Sequence, residues 1–395
     1  MKGLLRLPSA YLCLPLLFAC VVTLFTYDLP TGYGQGILLL VVVAAGLLLL
    51  DAVAGVRLPS PARFRERRYA GTREGFVALA FAAVVLVFCV ADLALYPIPL
   101  FDNPSSYATL EPGREHIRHI SDMCWTLPVI GLLCTRHAGL RYALVLAGLV
   151  FPVLVIDRNR IFAGLFSIAF VVAMRRDESR PLPWKAIGVL GVVGCVVFSV
   201  LGALRSGSLD NVTLPFSDLY KAAPQGVKWL LLYISAGPFN FGAMVAKHYA
   251  NSAFLIHQLV PGSGTLLTTD TDIPFDAVNI NVGTEYLPFL LAWGPAGAVA
   301  SMVAAYALLI WCVRRLRPNV PLFGLLMFLR IAYVSAMSPF APQIFIWLNA
   351  AFLAICLVLQ VLAAWLPNRR TPAFPLHPDA ALPANATTSP PHGNP

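Results

Sequence analysis

The sequence predicts an all-α fold: a polytopic transmembrane bundle of about ten crossing helices, with one further broken or re-entrant segment. Three observations indicate this class. The chain of 395 residues is 58% hydrophobic and only 12% charged, which is about half the charge of a soluble protein. Apolar runs of about 17–25 residues, the length that crosses a bilayer, recur along it. Most of the arginines lie in short polar connections between these runs.

The first apolar run follows a basic start that is also typical of a signal peptide. Its apolar stretch is long and no small-residue cleavage site follows it, so the sequence favours a retained first span. The membrane domain is predicted to cover residues 1–366. Its predicted spans are 8–27, 36–56, 76–95, 120–135, 138–156, 161–174, 186–204, 286–312, 321–338 and 344–366.

The basic loops orient these spans, because lysine and arginine collect on the cytoplasmic side of membrane proteins. The loop 57–75 contains six arginines and is therefore predicted to be cytoplasmic, which also places the N-terminus inside. Alternation of the spans then puts the other basic clusters inside as well: 136–141, 175–185, 314–317 and 368–370. The tail 367–395 is rich in Pro, Ala, Thr and Asn and is predicted to be disordered and cytoplasmic.

The apolar segment 229–246 breaks this alternation. Residues 205–285 must begin and end outside, so the segment is predicted to dip in and return, or to cross twice as two short halves. A break is expected at Gly237-Pro238, because proline removes a backbone donor and glycine loosens a helix.

Composition excludes several classes of function. The net charge of +9 reflects membrane topology, because the arginines lie in loops between spans; a nucleic-acid partner is therefore not expected. The eight cysteines lie within or beside apolar runs without a metal-binding spacing. His116 and His119 share a helical face, but no third ligand completes a metal site. We expect neither a metal nor a cofactor.

The predicted topology places Arg158, Arg160 and Arg205 at outer helix ends, against the positive-inside trend. Arginine presents a planar fork of donors that matches two phosphate oxygens at once. Lipid phosphates and lipid-linked diphosphates are the anions found at that depth. Two alternatives remain open: these side chains extend to ordinary headgroups, or they pair with Asp157.

A second polar group lies in and around the outer region. Its members are the candidate substrate-binding residues Tyr233, Gly237, Pro238, Asn281 and Thr284, and the candidate general base Glu285. Amide and hydroxyl groups form hydrogen bonds with carbohydrate hydroxyls, although Asn281 or Thr284 would also serve as a helix cap. Glu285 either takes a proton or complements the helix dipole. Arg330 lies in the middle of a span and is expected to face the interior, toward Asp92 or a bound diphosphate.

These motifs resemble those of the O-antigen and oligosaccharide repeat-unit polymerases. In order, they are Arg-Asn-Arg opening a span (158–160), a later arginine (Arg205), Tyr-x-x-x-Gly-Pro (233–238), Asn-x-Gly-Thr-Glu (281–285) and a Trp-Gly-Pro-Ala-Gly span (293–297). Where that family usually has Asp/Tyr-Phe-Gly, this chain has Ala-Trp-Gly at 292–294, so a neighbouring branch stays open.

The resemblance implies a metal-independent glycosyltransferase of the bacterial inner membrane with an active site on its outer face. It would transfer a growing glycan from polyprenyl diphosphate to another lipid-linked repeat unit, with a chain-length regulator as a further partner. The arginines would stabilise the departing diphosphate. O-antigen, capsule and exopolysaccharide all remain possible products. The alternatives are a ligase-type transferase and a transporter or flippase of lipid-linked sugars.

Overall fold

A computed structural model describes residues 6–102, 113–176, 213–260, 273–277, 280, 282–317 and 319–367, with isolated positions between 185 and 196. Within these residues the fold is helical, and its β-structure consists of an isolated antiparallel bridge between Tyr27 and Phe216. The predicted all-α class is therefore confirmed for the described part of the chain. The tail, Arg205, Asn281 and most of the predicted span 186–204 lie outside the described residues.

The helices are numbered here in chain order. They are α1 Pro8–Thr26, α2 Tyr33–Ala54, α3 Pro61–Glu66, α4 Arg73–Leu95, α5 Arg114–Ser121, α6 Thr126–Cys134, α7 Ala138–Leu154, α8 Arg158–Arg175, α9 Asp218–Ala222, α10 Gln225–Lys247, α11 Ser252–Leu259, α12 Leu287–Leu316, α13 Leu322–Ala336 and α14 Trp347–Trp365. A 3₁₀ turn, Asp122–Trp125, joins α5 to α6.

Six of these helices are long and apolar enough to cross a membrane: α1, α2, α4, α10, α12 and α14. The helices α7 and α13 are apolar but shorter. The predicted span 120–135 is divided between the 3₁₀ turn and α6, whose 9 residues extend only about 14 Å at 1.5 Å per residue. The chain thus has the apolar helices of a membrane protein, and the count of about ten crossings stays a prediction.

The predicted break at Gly237-Pro238 is wrong, because α10 continues through both residues. A proline ring removes its own donor and disturbs the carbonyls one turn earlier. Here the hydroxyl of Thr23 on α1 is shared between the carbonyl of Ala19 at 2.8 Å and the carbonyl of Ser235 on α10 at 3.1 Å. A neighbouring helix therefore satisfies a carbonyl beside the proline, as polar side chains do in membrane bundles.

The interruption occurs instead in α12, at Trp293 and Gly294. Their backbone angles leave the helical region, and Gly294 has a φ of 68° and a ψ of −163°. That conformation is accessible to glycine alone among the common residues, and Pro295 further disfavours a helical geometry in the residue before it. The Trp-Gly-Pro motif therefore marks a kink within a predicted uninterrupted span.

The bundle packs around α1, which contacts α2, α10, α12 and α13, while α4 to α8 and α14 pack together beside this group. Tyr11 on α1 makes an edge-to-face ring contact with Phe328 on α13. The helices α2 and α10 approach closely where Gly36 faces Gly242, since a Cβ on Gly36 would lie 2.8 Å from the Gly242 Cα. Small residues commonly permit such approach in membrane bundles.

The loops gather at two ends of the bundle. At the basic end, formed by 57–72, 135–137, 314–317, 319–320 and 364–367, Tyr69 donates to the Val320 carbonyl and Arg73 to that of Ala364. At the opposite end, formed by 27–33, 155–160, the described residues 273–277, 280 and 282–286, and 337–346, Tyr33 donates to Asp276. Among the described residues, the structure therefore brings the basic loops 57–72, 135–137 and 314–317 to one end, whereas Arg158 and Arg160 lie at the other.

Candidate functional site

The site begins at the turn before α8. Ile156 adopts a positive φ of 53°, and the Asp157 amide donates to the Pro152 carbonyl at 2.8 Å. The Asp157 carboxylate then accepts the Arg160 amide at 3.1 Å and caps the new helix. Arg158 and Arg160 consequently occupy the first turn of α8, where residues two apart diverge by about 200°.

Arg160 is occupied by carboxylates. Its Nε donates to Asp157 Oδ2 at 2.8 Å, and its Nη2 pairs with Asp122 Oδ1 in the 3₁₀ turn. The arginine side chain is only 7% exposed and that of Asp157 11%, whereas that of Asp122 is 37% exposed. The sequence left three roles open for Arg160: binding a lipid diphosphate, extending to lipid headgroups, or pairing with Asp157. Its contacts in the structure are those of the ion pair with Asp157.

Arg158 points elsewhere. It is half-buried, and its guanidinium carbon lies 5.8 Å from the centroid of the Tyr233 ring on α10. This arrangement is a cation–π contact. Tyr233 in turn stacks against Phe340, with 6.4 Å between the ring centroids. The structure thus joins two residues that the sequence assigned to separate clusters.

Asn159, between the two arginines, connects three elements. Its carbonyl accepts the Tyr333 hydroxyl at 2.8 Å, and its side-chain oxygen accepts the same hydroxyl at 2.6 Å. Its amide nitrogen donates to Gln343 Oε1 at 3.1 Å. These bonds fix the start of α8 against α13 and the loop 337–346.

Arg330 lies one turn before Tyr333 on α13. Its Nε donates to Asn349 Oδ1 at 2.7 Å, and the Asn349 amide donates to the carbonyls of Gln343 and Ile344. The side chain of Arg330 is partly accessible and interacts electrostatically with Asp157. Arg330 therefore belongs to the same polar group as the start of α8.

The expected orientation of Arg330 toward Asp92 is wrong. Asp92 pairs with Arg114 on α5 at 2.9 Å, and both side chains are buried. Ser121 also donates to the Asp92 carboxylate, at 3.3 Å. Because α5 packs along the end of α4, its Arg114 supplies the positive charge that pairs with Asp92. The sequence analysis had not identified this partner.

Glu285 is buried beneath the loop 337–346. Its carboxylate accepts the backbone amides of Gln343, Ile344 at 2.8 Å and Phe345 at 3.2 Å. Burial raises the pKa of Glu285 to about 7, and the three amides oppose that rise. With 1% exposure, this carboxylate holds the loop in position, and its role as a general base stays a prediction.

The Gly237 region packs against the same loop. A Cβ on Gly237 would collide with the carbonyl oxygen of Pro339 and would lie 3.4 Å from the Thr284 methyl group. Pro238 and Thr284 are buried. Asn240 holds this face of α10 by donating to the carbonyls of 280 and 282, each at 2.8 Å. Gly237, Pro238 and Thr284 thus form the packed support of the site.

The polar group contains residues that sequence reasoning missed: Asn159, Tyr333, Gln343 and Asn349. Two of them had a readable signal. Tyr333 and Asn349 lie in the apolar runs 321–338 and 344–366, and a polar group within a span is expensive unless it has a partner. The bonds of both lead back to Asn159 or Arg330.

Comparison with known proteins adds no further constraint. No family model, no curated protein and no solved structure matches this chain. The chemistry of the site itself is therefore the basis of the function proposed below.

Proposed function

We propose that the chain is a bacterial inner-membrane glycosyltransferase that polymerises polyprenyl-diphosphate-linked oligosaccharide repeat units at the outer face of the membrane. The observation that carries the proposal is the position of Arg158 and Arg330. Both belong to one polar group at the end of the bundle that the basic loops avoid, where Arg158 lies over the Tyr233 ring and Arg330 donates to Asn349.

The reaction needs positive charge where the leaving group departs. The acceptor hydroxyl attacks the anomeric carbon and its proton passes to water. The bond from that carbon to the diphosphate oxygen breaks, and the diphosphate keeps the electron pair. Two fixed guanidiniums stabilise that developing charge without reorganising. Arginine also matches phosphate oxygens in pairs. The proposal therefore assigns diphosphate binding to Arg158 and Arg330, and it requires no metal or cofactor.

The remaining residues position these two. Tyr233 holds the Arg158 guanidinium by its ring face, and Asn349 holds that of Arg330. Arg160 secures the start of α8 through two carboxylates, and Glu285 secures the loop that carries Gln343. Arg205 and Asn281, which the sequence also assigns to the site, keep their roles as predictions.

The test replaces Arg158 or Arg330 with lysine, which keeps the charge and loses the fork. If each contact forms as the diphosphate leaves, each variant should lose about 2–4 kcal/mol of transition-state stabilisation, or about 30- to 1,000-fold in rate. The readout is the polymer length on gels and the release of lipid diphosphate from membranes of source cells, with protein levels checked.

A matched control is Arg315→Lys at the basic end, where the guanidinium carbon lies 5.3 Å from the Trp311 ring centroid. It alters another arginine–aromatic contact and should leave polymer formation unchanged. Normal polymer from both Arg158→Lys and Arg330→Lys would refute the proposed diphosphate site. Transfer of glycan to lipid A core instead of to a repeat unit would identify a ligase, and movement of the lipid-linked sugar without release of lipid diphosphate would identify a transporter.

A further inference from the structure

A cavity of about 390 Å³ opens at the basic end, far from the site described above. Four arginines line it, Arg6, Arg57, Arg63 and Arg317, together with the backbone segment 58–60. Cavities of about 300–1,000 Å³ accommodate small molecules, so this one has room for a phospholipid headgroup.

The arginines are held by neutral groups. Arg6 donates through Nε and Nη2 to the Leu58 carbonyl, at 3.2 and 3.1 Å. Arg57 donates to the carbonyl of Asp51 at 3.1 Å, and Arg63 to that of Arg317 at 3.2 Å. Carbonyls orient the guanidiniums but do not neutralise them.

No ion pair joins these four to a carboxylate in the part of the chain that the structure describes. Arg67, in the same loop, shows the contrast, because it pairs with Glu74 at 3.1 Å. The positive-inside tendency explains why arginines occur at this end. It does not explain why four of them surround one cavity with their charges uncompensated.

The cavity also lies at a defined depth. Arg6 precedes the start of α1, Arg57 follows the end of α2, and Arg317 follows the end of α12. All three helices are among those long and apolar enough to span a membrane. The cavity is therefore at the level where these apolar helices end, which in a bilayer is the level of the lipid phosphates.

We propose that this cavity binds a phosphate group, as found in the headgroup of an anionic phospholipid or in a free phosphate. Arginine is suited to this ligand because its fork contacts two phosphate oxygens. Basic pockets between membrane helices recognise anionic headgroups by the same chemistry. The site is separate from the proposed active site, and its test does not depend on glycosyl transfer.

The experiment uses the purified full-length protein in detergent and native mass spectrometry with phosphatidylglycerol or phosphatidylcholine. The cavity variant is Arg63→Gln/Arg317→Gln and the control is Arg314→Gln/Arg315→Gln. All four side chains are exposed at the basic end, and each double variant removes the same charge. In a second arm, inorganic phosphate at millimolar concentration is tested for stabilisation of each protein against heating.

A basic side chain near an anionic headgroup contributes about fivefold in affinity. The cavity variant should therefore lose about 25-fold in affinity for phosphatidylglycerol, while the control loses much less and phosphatidylcholine binds weakly to both. Stabilisation by phosphate that the cavity variant lacks, without a preference for phosphatidylglycerol, would assign the same site to a soluble phosphate. Equal losses in both variants, or no loss in either with no effect of phosphate, would overturn the proposal.

Discussion

Replacing Arg160 with methionine separates a structural arginine from one that binds the substrate. The side chain of Arg160 is 7% exposed and is bound to two carboxylates. Methionine is similar in length and unbranched, but it removes the charge. Asp157 would then keep its helix-capping bond to the amide of residue 160 and lose its ion pair with Arg160.

The magnitude follows from the exposure of the two carboxylates. Asp157 is 11% exposed, and breaking a buried pair by removing one partner costs about 3–5 kcal/mol. Asp122 is 37% exposed, so water screens it and its share is at most about 1 kcal/mol. The two shares add to about 3–6 kcal/mol. At about 2–4 °C per kcal/mol for a large domain, we expect the melting temperature to fall by about 6–24 °C.

The assay is thermal unfolding of the purified protein in detergent, followed by tryptophan fluorescence, in parallel with polymer formation. A double-mutant cycle with Asp122→Asn provides the control. The combined variant should lose less than the sum of the two single variants, because the two residues contact each other. Arg160→Met with unchanged melting and a 30- to 1,000-fold loss of rate, the range expected for a lost transition-state contact, would refute the structural role and indicate binding of the diphosphate.

Three further predictions concern the supports of the bundle. Gly237→Ala forces a Cβ against a backbone carbonyl, so the free energy of unfolding should fall by more than the about 1–3 kcal/mol that is typical of overpacking. Gly46→Ala has open space around its new Cβ and should not destabilise the detergent-solubilised protein. The pKa of Glu285 is raised to about 7, so the contribution of its protonated form to stability is fully present below about pH 4.5 and is lost as pH rises toward 7, by about 3 kcal/mol. The difference in melting temperature between the natural chain and Glu285→Gln should change with pH over this window, and identical pH slopes of the two proteins would contradict the assignment. Asp92→Asn leaves Arg114 buried without its partner and should cost about 3–5 kcal/mol; unchanged urea or heat resistance would show that the pair is unimportant.

Much of the local structure was predictable from neighbouring residues. In the described parts of the chain the apolar runs are helical, and the basic loops that the structure describes lie at one end of the bundle. Asp157, which the sequence placed beside the arginines, caps α8 and pairs with Arg160. Each of these features depends on helix periodicity, hydropathy or a contact within one turn, so each can be read from a short stretch of chain.

The break at Gly237-Pro238 was mispredicted because its outcome depends on another helix. Proline and glycine favour a break in an isolated segment, but Thr23 on α1 supplies a hydrogen bond to Ser235 that only packing brings near. The kink at Gly294 lay in a motif that the sequence showed plainly, yet its effect on the backbone could not be read from the motif alone.

The features of the candidate site also fall into those that the sequence determined and those that depend on the tertiary structure. The sequence by itself determined that Arg158, Arg160 and Glu285 occur at helix ends beside apolar runs, because charge and hydropathy are properties of the chain. Only the tertiary structure decided that Arg160 pairs with Asp122, that Glu285 holds the amides of 343–345, and that Arg158 faces Tyr233. The physical reason is that a buried charge takes its partner from whichever elements pack around it, and helices distant in sequence provide those partners.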